Sequence, residues 1–242
     1  KHVGIFNAQR FMVSNGEYLE FVKSGGYQNQ KFWSEDGWQW KNFRNAKWPT
    51  FWVAVGPQNL HQYRLRSIFK VHPMPWSWPA EVNFHEAKAY SAWKSEISNN
   101  HKNYRLLTEV EHQSLLGKKN GSVTPEHSVD PVLNYSGDEI AEKRNCNLNL
   151  AYGSPTPVDE FSSSAISHND LLGNVWEWCE DDFHPLDGFK IHPIYDDFST
   201  PCFDGLHNMI LGGSFVSTGD EASMWARFHF RPHFHQHAGF RL

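Results

Sequence analysis

Between Arg227 and His237 the sequence alternates a cationic or imidazole side chain with, for the most part, a ring. Arg227, His229, Arg231, His233, His235 and His237 take the odd positions, and Phe228, Phe230, Pro232, Phe234 and Gln236 the even ones. In an extended chain a period of two sends the first set to one face and the second to the other. A face of guanidinium and imidazole groups suits a substrate carboxylate, because Arg grips two oxygens through its planar fork and His switches between donor and acceptor. The spacing His229, His233, His237 also fits successive helical turns, where imidazoles could join a two-histidine, one-carboxylate iron site. The alternation and Pro232 oppose that helix, and Pro232 should split the face at a bend. A hydrogen-bonded polar face with no ligand is the third reading of these histidines. Upstream, Tyr195 stands beside Asp196 and Asp197. Its phenol, with a pKa of about 10, keeps a proton available at neutral pH, although a tyrosine bounding a loop has the same sequence context. Three cysteines, Cys146, Cys179 and Cys202, lack Cys-x-x-Cys spacing, so reduced thiols are expected, and neither a disulfide framework nor a structural zinc site is indicated.

These groups need elements to position them, and three helix starts carry capping boxes. Ser14 with Glu17 opens the first, with Tyr18, Leu19, Phe21 and Val22 on one face and a stop at Gly25-Gly26. Asn83 with Glu86 opens the second, carrying Phe84, Ala87 and Tyr90 and ending near Asn99-Asn100; Thr108 with Glu111 opens the third, ending at Gly117. Beyond position 120, short apolar runs broken by Gly, Pro, Asn and Ser predict loops and short strands. The expected class is α+β, with helices mainly in the first half, a loop-rich sheet region in the second, and functional interest in residues 180–210.

No linker, charge block or repeat divides the 242 residues, so one domain is expected. Net charge is −5 and the 22 Lys and Arg are scattered, which gives no footprint for nucleic acid. The longest apolar run, Phe51 to Val55, is far short of the roughly 20 residues that span a bilayer, and nothing resembles a signal peptide, so a cytoplasmic protein is expected. With 18 Phe, 11 Trp, 8 Tyr and 15 His, burial must lean on rings and their polar edges rather than on aliphatic layers.

Five stretches in order resemble the formylglycine-generating-enzyme, or sulfatase-modifying-factor, superfamily. They are Phe11 to Asn15 with Glu17 and Tyr18; Tyr104-Arg105-Leu106-Leu107-Thr108-Glu109, with Leu107 where the family has Pro; Gly173-Asn174-Val175-Trp176-Glu177-Trp178; Gly212-Gly213-Ser214-Phe215; and Ala238-Gly239-Phe240-Arg241. The resemblance implies a C-type-lectin-like single domain with a few helices, short twisted antiparallel strands and long irregular loops. It also assigns Asn174 and Glu177 an organising rather than a chemical role. Copper-dependent members bind the metal through two cysteines near the C-terminus, at positions that here read Ser217 and Ala222. A hydroxyl and a methyl cannot replace soft thiolate ligands.

Residues 188–199, 217–223 and 227–241 are similar to the ovothiol-pathway branch, the 5-histidylcysteine sulfoxide synthases. That likeness implies a non-haem iron(II), dioxygen-dependent enzyme that joins the sulfur of cysteine to the imidazole of histidine and oxidises it to the sulfoxide. By the same resemblance Tyr195 is the catalytic phenol, and Arg227, His229, Arg231 and His233 bind substrate. The iron is expected outside this chain, on three histidines of an N-terminal helical domain, because no His-x-x-x-His-x-Glu motif occurs here. The start at Lys1, inside what would be the first strand, fits a domain excised from a longer protein. Asn147 and Asp170 occupy neighbourhoods where relatives bind calcium, which oxygen ligands suit, although a turn or cap role explains them equally. An ergothioneine-type synthase acting on trimethylated histidine, a formylglycine-type oxidase and a non-catalytic ligand-binding module are the alternative readings.

Overall fold

The computed structural model describes residues 3–98, 102–116, 146–162, 167–197, 199–223 and 225–242. Its helices are α1 (Asn15–Lys23), α2 (Glu35–Arg44), α3 (Phe84–Ile97) and α4 (Glu109–Leu116). The capping boxes form as the sequence predicts. Glu17 N–H donates to Ser14 Oγ at 3.2 Å while Ser14 N–H donates to Glu17 Oε2 at 2.9 Å. Asn83 and Glu86 exchange the equivalent pair at 3.0 Å each, and Thr108 and Glu111 at 2.8 and 3.3 Å. Each box answers amide donors that a first helical turn leaves without partners. The predicted stops at Asn99-Asn100 and Gly117 lie outside the described residues.

Helix α2 was not expected. Ser34 Oγ accepts from Gly37 N–H at 3.1 Å, so the cap is real, but Gly37 stands where a capping box would place Glu. A Cβ there would lie 3.0 Å from Ser34 Oγ and 3.2 Å from His85 Nδ1, so glycine lets α2 close on the start of α3. Asn45 ends the helix in the left-handed region at φ 49°.

The core is built from rings. Tyr18 stacks on Tyr90 with centroids 5.3 Å apart, and Phe21 and Phe240 meet that pair edge-on. Edge-to-face and offset contacts of this kind are the favoured geometries of aromatic quadrupoles. The polar edges are paired: Tyr27 Oη donates to Glu86 Oε1 at 2.6 Å, and the Trp178 indole N–H donates to Val82 O at 2.9 Å.

Two sheets complete the fold. Strands β1 (Trp52–Ala54), β2 (Tyr63–Arg66) and β3 (Val71–Pro73) form an antiparallel meander. It is a correction to the expectation that sheet structure belongs to the second half. The other sheet, in the order β6-β5-β4-β7, contains β4 (Trp176–Asp182), β5 (Asn208–Leu211), β6 (Phe228–Phe230) and β7 (Ala238–Gly239). Its β4–β5 and β5–β6 pairs are antiparallel, as expected, and the short β4–β7 pair is parallel. The opening segment, predicted as a strand, is instead extended backbone held by separate bonds: Gln9 and Val13 N–H donate to Leu242 and Phe240 carbonyls, and Ser14 bridges Pro79.

Candidate substrate cleft and its neighbours

The Arg/His stretch enters as β6, an edge strand paired with β5 through Met209 and His229, and leaves it at Arg231. Pro232 has no N–H to continue a ladder, and its carbonyl accepts from Phe84 N–H at 3.1 Å. The chain turns there, with Phe234 N–H donating to Arg231 O at 3.0 Å, so the polar face splits at Pro232 as the sequence predicts.

The split sends the candidate residues to different surroundings. Arg227 spends its fork on Glu109, with contacts of 2.5 and 3.0 Å, gives a further bond to His184 O at 3.1 Å, and lies over the Phe183 ring at 5.3 Å. His229 stacks on the other partner of this group, the same Phe183, with centroids 4.0 Å apart. Burial, followed by the neighbouring His207, pushes its imidazole below the ordinary value. His237 faces Glu81, Nδ1 to Oε1 at 2.6 Å, and His235 meets Thr50 Oγ1 at 3.0 Å.

Arg231 and His233, two of the predicted binding residues, line one open cleft. It encloses about 460 Å³ between α2, the start of α3 and the backbone of Gly205-Leu206, with Asp36, Trp40, Phe43 and His85 on its walls. Arg231 makes one long bond to Asp204, 3.3 Å, and is half exposed. His85 is pushed down to about 4, mainly by burial, so it is a neutral imidazole at physiological pH. Its ring stacks on Trp40 at 5.9 Å. Tyr195 lies outside the residues lining this cleft, on the irregular segment that follows β4, 64% exposed, with its ring 5.6 Å from that of His192. Sequence reading missed Glu109, His85 and Trp40 as members of this region. The first was absorbed into a helix start, and the other two belong to the α2–α3 junction that Gly37 permits.

Ser217 and Ala222 are buried, and Ser217 Oγ accepts from Ser214 N–H at 3.1 Å. The positions that hold copper thiolates in the oxidases are thus occupied here by a capping hydroxyl and a packed methyl. Iron finds no fit either: among the described residues, neither three histidines nor two histidines and a carboxylate bring their ligand atoms together. The calcium candidates differ. Asn147 is buried, donates through Nδ2 to Ser154 O at 2.9 Å, and leaves Oδ1 buried without a partner. Asp170 accepts from Asn174 Nδ2 at 3.0 Å, and burial pushes its carboxyl up to about 7. An orphaned amide oxygen is a donor type that hard cations accept, whereas a carboxyl kept protonated by burial would have to release its proton before it could ligate one.

Asn174, at φ 65°, also accepts from Thr156 N–H at 2.9 Å, and Gly173 turns so close to Asn147 O that a Cβ would lie 2.6 Å from it. This ring of short contacts around the Gly-Asn-Val-Trp block, with two small sheets and an aromatic core, defines the class. The chain belongs to the family of sulfatase-modifying factor enzyme 1-like domains, whose model matches residues 2–242. Hercynine oxygenase of Mycobacterium tuberculosis is 30% identical over 225 residues, which cover 88% of this chain and 46% of that protein. Ergothioneine biosynthesis protein 1 of Schizosaccharomyces pombe is 22% identical over 222 residues, 90% of this chain and 22% of that protein. The chain therefore spans less than half the length of these relatives. PvdO from Pseudomonas aeruginosa shares the fold, with a TM-score of 0.55 and 18% identity over 97% of this chain and 78% of its own. No helix among the described residues is long and apolar enough to cross a membrane.

Proposed function

We propose that this chain is the substrate-facing domain of a non-haem iron(II), dioxygen-dependent sulfoxide synthase that joins cysteine sulfur to the imidazole of histidine. The observation that carries the reading is the cleft in which Arg231, largely uncommitted, stands with His233 opposite a neutral His85 stacked on Trp40. A guanidinium fork suits the carboxylate of an amino acid, and a flat imidazole–indole wall suits an aromatic ring. Arg227 and His229 support the cleft from behind β6 in this reading, because Glu109 and Phe183 already engage them. The iron belongs to an N-terminal helical domain of the same protein, and Tyr195, exposed on its loop, presents a phenol to that domain as hydrogen-bond and proton donor. Trimethylated histidine is the second reading, favoured by Trp40 and Phe43 beside Asp36, a set that would suit a quaternary ammonium.

The test is to express the parent protein with its N-terminal domain and to follow the adduct by mass spectrometry with iron(II), cysteine, oxygen and either histidine or its trimethyl form. We expect adduct with unmethylated histidine. Arg231→Ala should raise KM about tenfold or more, the scale of one charge-assisted hydrogen bond. Tyr195→Phe should divert turnover toward simple cysteine oxidation. Absence of adduct with both histidines would leave the synthase reading without support.

We further propose that Asn147 and Asp170 hold calcium, which would tie residues 147–156 to the signature block. The folded pKa of Asp170, about 7, lies above its ordinary value of 3.8. Its stabilising contribution is therefore complete below 3.8 and lost as pH rises through 7. Calcium at a hundredfold excess over Kd should restore about 2.7 kcal/mol, most visibly above pH 7, and Asp170→Asn should abolish the response. Thermal melts that ignore calcium at alkaline pH would count against the site.

A further inference from the structure

Beside the cleft, the fold assembles a group that spacing along the chain hides. Cys202 ends a short turn in the loop before β5, His207 directly precedes β5, and His229 is the middle residue of β6. Their ligand atoms all lie within 4.8 Å of one another. We propose that Cys202, His207 and His229 form a binding site for a borderline-soft transition metal, zinc(II) in the first place, which pins the 199–207 loop onto the sheet.

Three observations support the site independently of proximity. The first is a carboxylate behind a ligand: His207 Nδ1 lies 2.9 Å from Asp204 Oδ1. A carboxylate there can accept a proton from Nδ1, which would leave Nε2 to ligate, the arrangement in which ligating histidines are usually held. The second is an orphan. His229 Nδ1 is buried and has no hydrogen-bond partner among the described residues. A buried polar atom without a partner costs about 1–3 kcal/mol and calls for an explanation, which a metal or its neighbouring ligands would supply. The third is the wall. Phe183 lies flat on His229, Phe203 packs on Phe183 at 4.9 Å, and Cys179, Met209 and Leu211 complete an apolar cluster against which Cys202 rests. A dry surround strengthens ligation and excludes competing water.

The donor set selects the metal. One thiolate and two imidazoles suit zinc(II) and its spectroscopic substitute cobalt(II), whereas calcium and magnesium require oxygen. Zinc bond lengths of about 2.0–2.3 Å put tetrahedral ligands roughly 3.5 Å apart, so the three atoms, all within 4.8 Å of one another, need to close by at most about 1.3 Å. Cys202 and His207 lie in the segment before β5, and His229 lies in β6. Three protein ligands leave a fourth position open.

The consequence reaches the cleft through Asp204, which faces His207 on one side and Arg231 on the other. Gly205 and Leu206, between two of the ligating positions, form part of the cleft wall. A bound metal would therefore hold that wall and orient Arg231, making the three ligands positioning residues. The site stands on geometry alone and does not depend on the sulfoxide-synthase reading.

The decisive experiment is a cobalt(II) titration of the 242-residue chain after chelation. One equivalent should bind with a sulfur-to-cobalt charge-transfer band and tetrahedral ligand-field bands, and zinc(II) should displace it. Cys202→Ser should lose the charge-transfer band, while Cys146→Ser and Cys179→Ser keep it. Asp204→Asn should weaken binding about 10- to 100-fold, as loss of an outer-shell carboxylate does. Matching melts of metal-free Cys202→Ser and metal-free wild type would separate lost ligation from lost folding; if that variant melts early, His229→Gln serves as the second ligand deletion. A wild-type chain without the charge-transfer band, or a band that survives Cys202→Ser, overturns the proposal.

Discussion

Replacing Arg241 with methionine is expected to destabilise the fold by about 3–5 kcal/mol, the cost of breaking one side of a buried ion pair. Arg241 is 1% exposed. Its Nε and Nη2 donate to the two oxygens of Glu177 at 3.2 and 2.7 Å, and its remaining donors reach the carbonyls of Gln9, Arg10 and Asn169. One side chain thus ties the opening segment, the loop before the signature block, β4 and the C-terminus. Its removal strands a buried carboxylate and takes a donor from the carbonyls of Gln9 and Asn169, and each unmade bond costs more than the bond itself contributes. The double variant Arg241→Met, Glu177→Leu should recover part of the loss, since an apolar pair of similar volume removes the stranded charge. Urea unfolding of wild type and the two variants measures both effects. A single-variant loss below about 1 kcal/mol would mean that the pair behaves like an exposed one.

The same pair shows what sequence could and could not disclose. Glu177 and Arg241 both stood inside recognised motifs, but nothing in a linear text says that two residues 64 positions apart share a bond. Local chemistry was legible because it is read over three or four residues. The boxes at Ser14, Asn83 and Thr108 gave three helices, and the alternation with Pro232 gave both β6 and its end. Helix α2 escaped because its cap lacks the reciprocal glutamate and its rings, Trp38, Trp40 and Phe43, are only partly buried or exposed, so no clean apolar stripe marks it. The β1–β3 meander escaped for a similar reason: three strands of three or four residues, two with little buried surface, carry too few side chains to show a period of two.

The site was legible only in its residue types. The Arg/His face announced anion-binding chemistry, but which of its members stay available was decided by partners far along the chain. Glu109, 118 positions from Arg227, takes one guanidinium, and Asp204, 27 positions from Arg231, holds the other by a single long bond. Cys202 looked inert for want of a second cysteine nearby. Its potential partners are imidazoles brought in by the β5–β6 pairing, which fixes His229 beside Met209 and so close to His207.

Glu86→Gln should change sign with pH. Glu86 is fully buried, accepts from Tyr27 Oη and from Asn83 N–H, and is pushed up to about 7 because burial outweighs those two bonds. The folded pKa lies above the ordinary 4.5, so the wild-type group contributes its full stability below 4.5 and loses it as pH rises through 7. A shift of that size corresponds to roughly 3 kcal/mol once the carboxylate is ionised. Glutamine carries no charge, so its cost is constant: about 1 kcal/mol for the cap bond that an amide NH2 cannot accept. The variant is therefore expected to be less stable than wild type at acidic pH and more stable by up to about 2 kcal/mol above neutrality, with the residual slope belonging to Asp170. Glu86→Ala, by contrast, strands the Tyr27 hydroxyl and the Asn83 amide and should destabilise at every pH. Urea midpoints below pH 4.5 and above pH 7 decide the matter, and parallel curves for wild type and Glu86→Gln would show that the carboxyl titrates normally. The effect bears on the cleft, because Glu86 fixes the first turn of α3 and the adjacent His85 forms the cleft wall. A first turn loosened by ionisation would move that imidazole before it moved the core, so KM should respond to alkaline pH in wild type and not in Glu86→Gln.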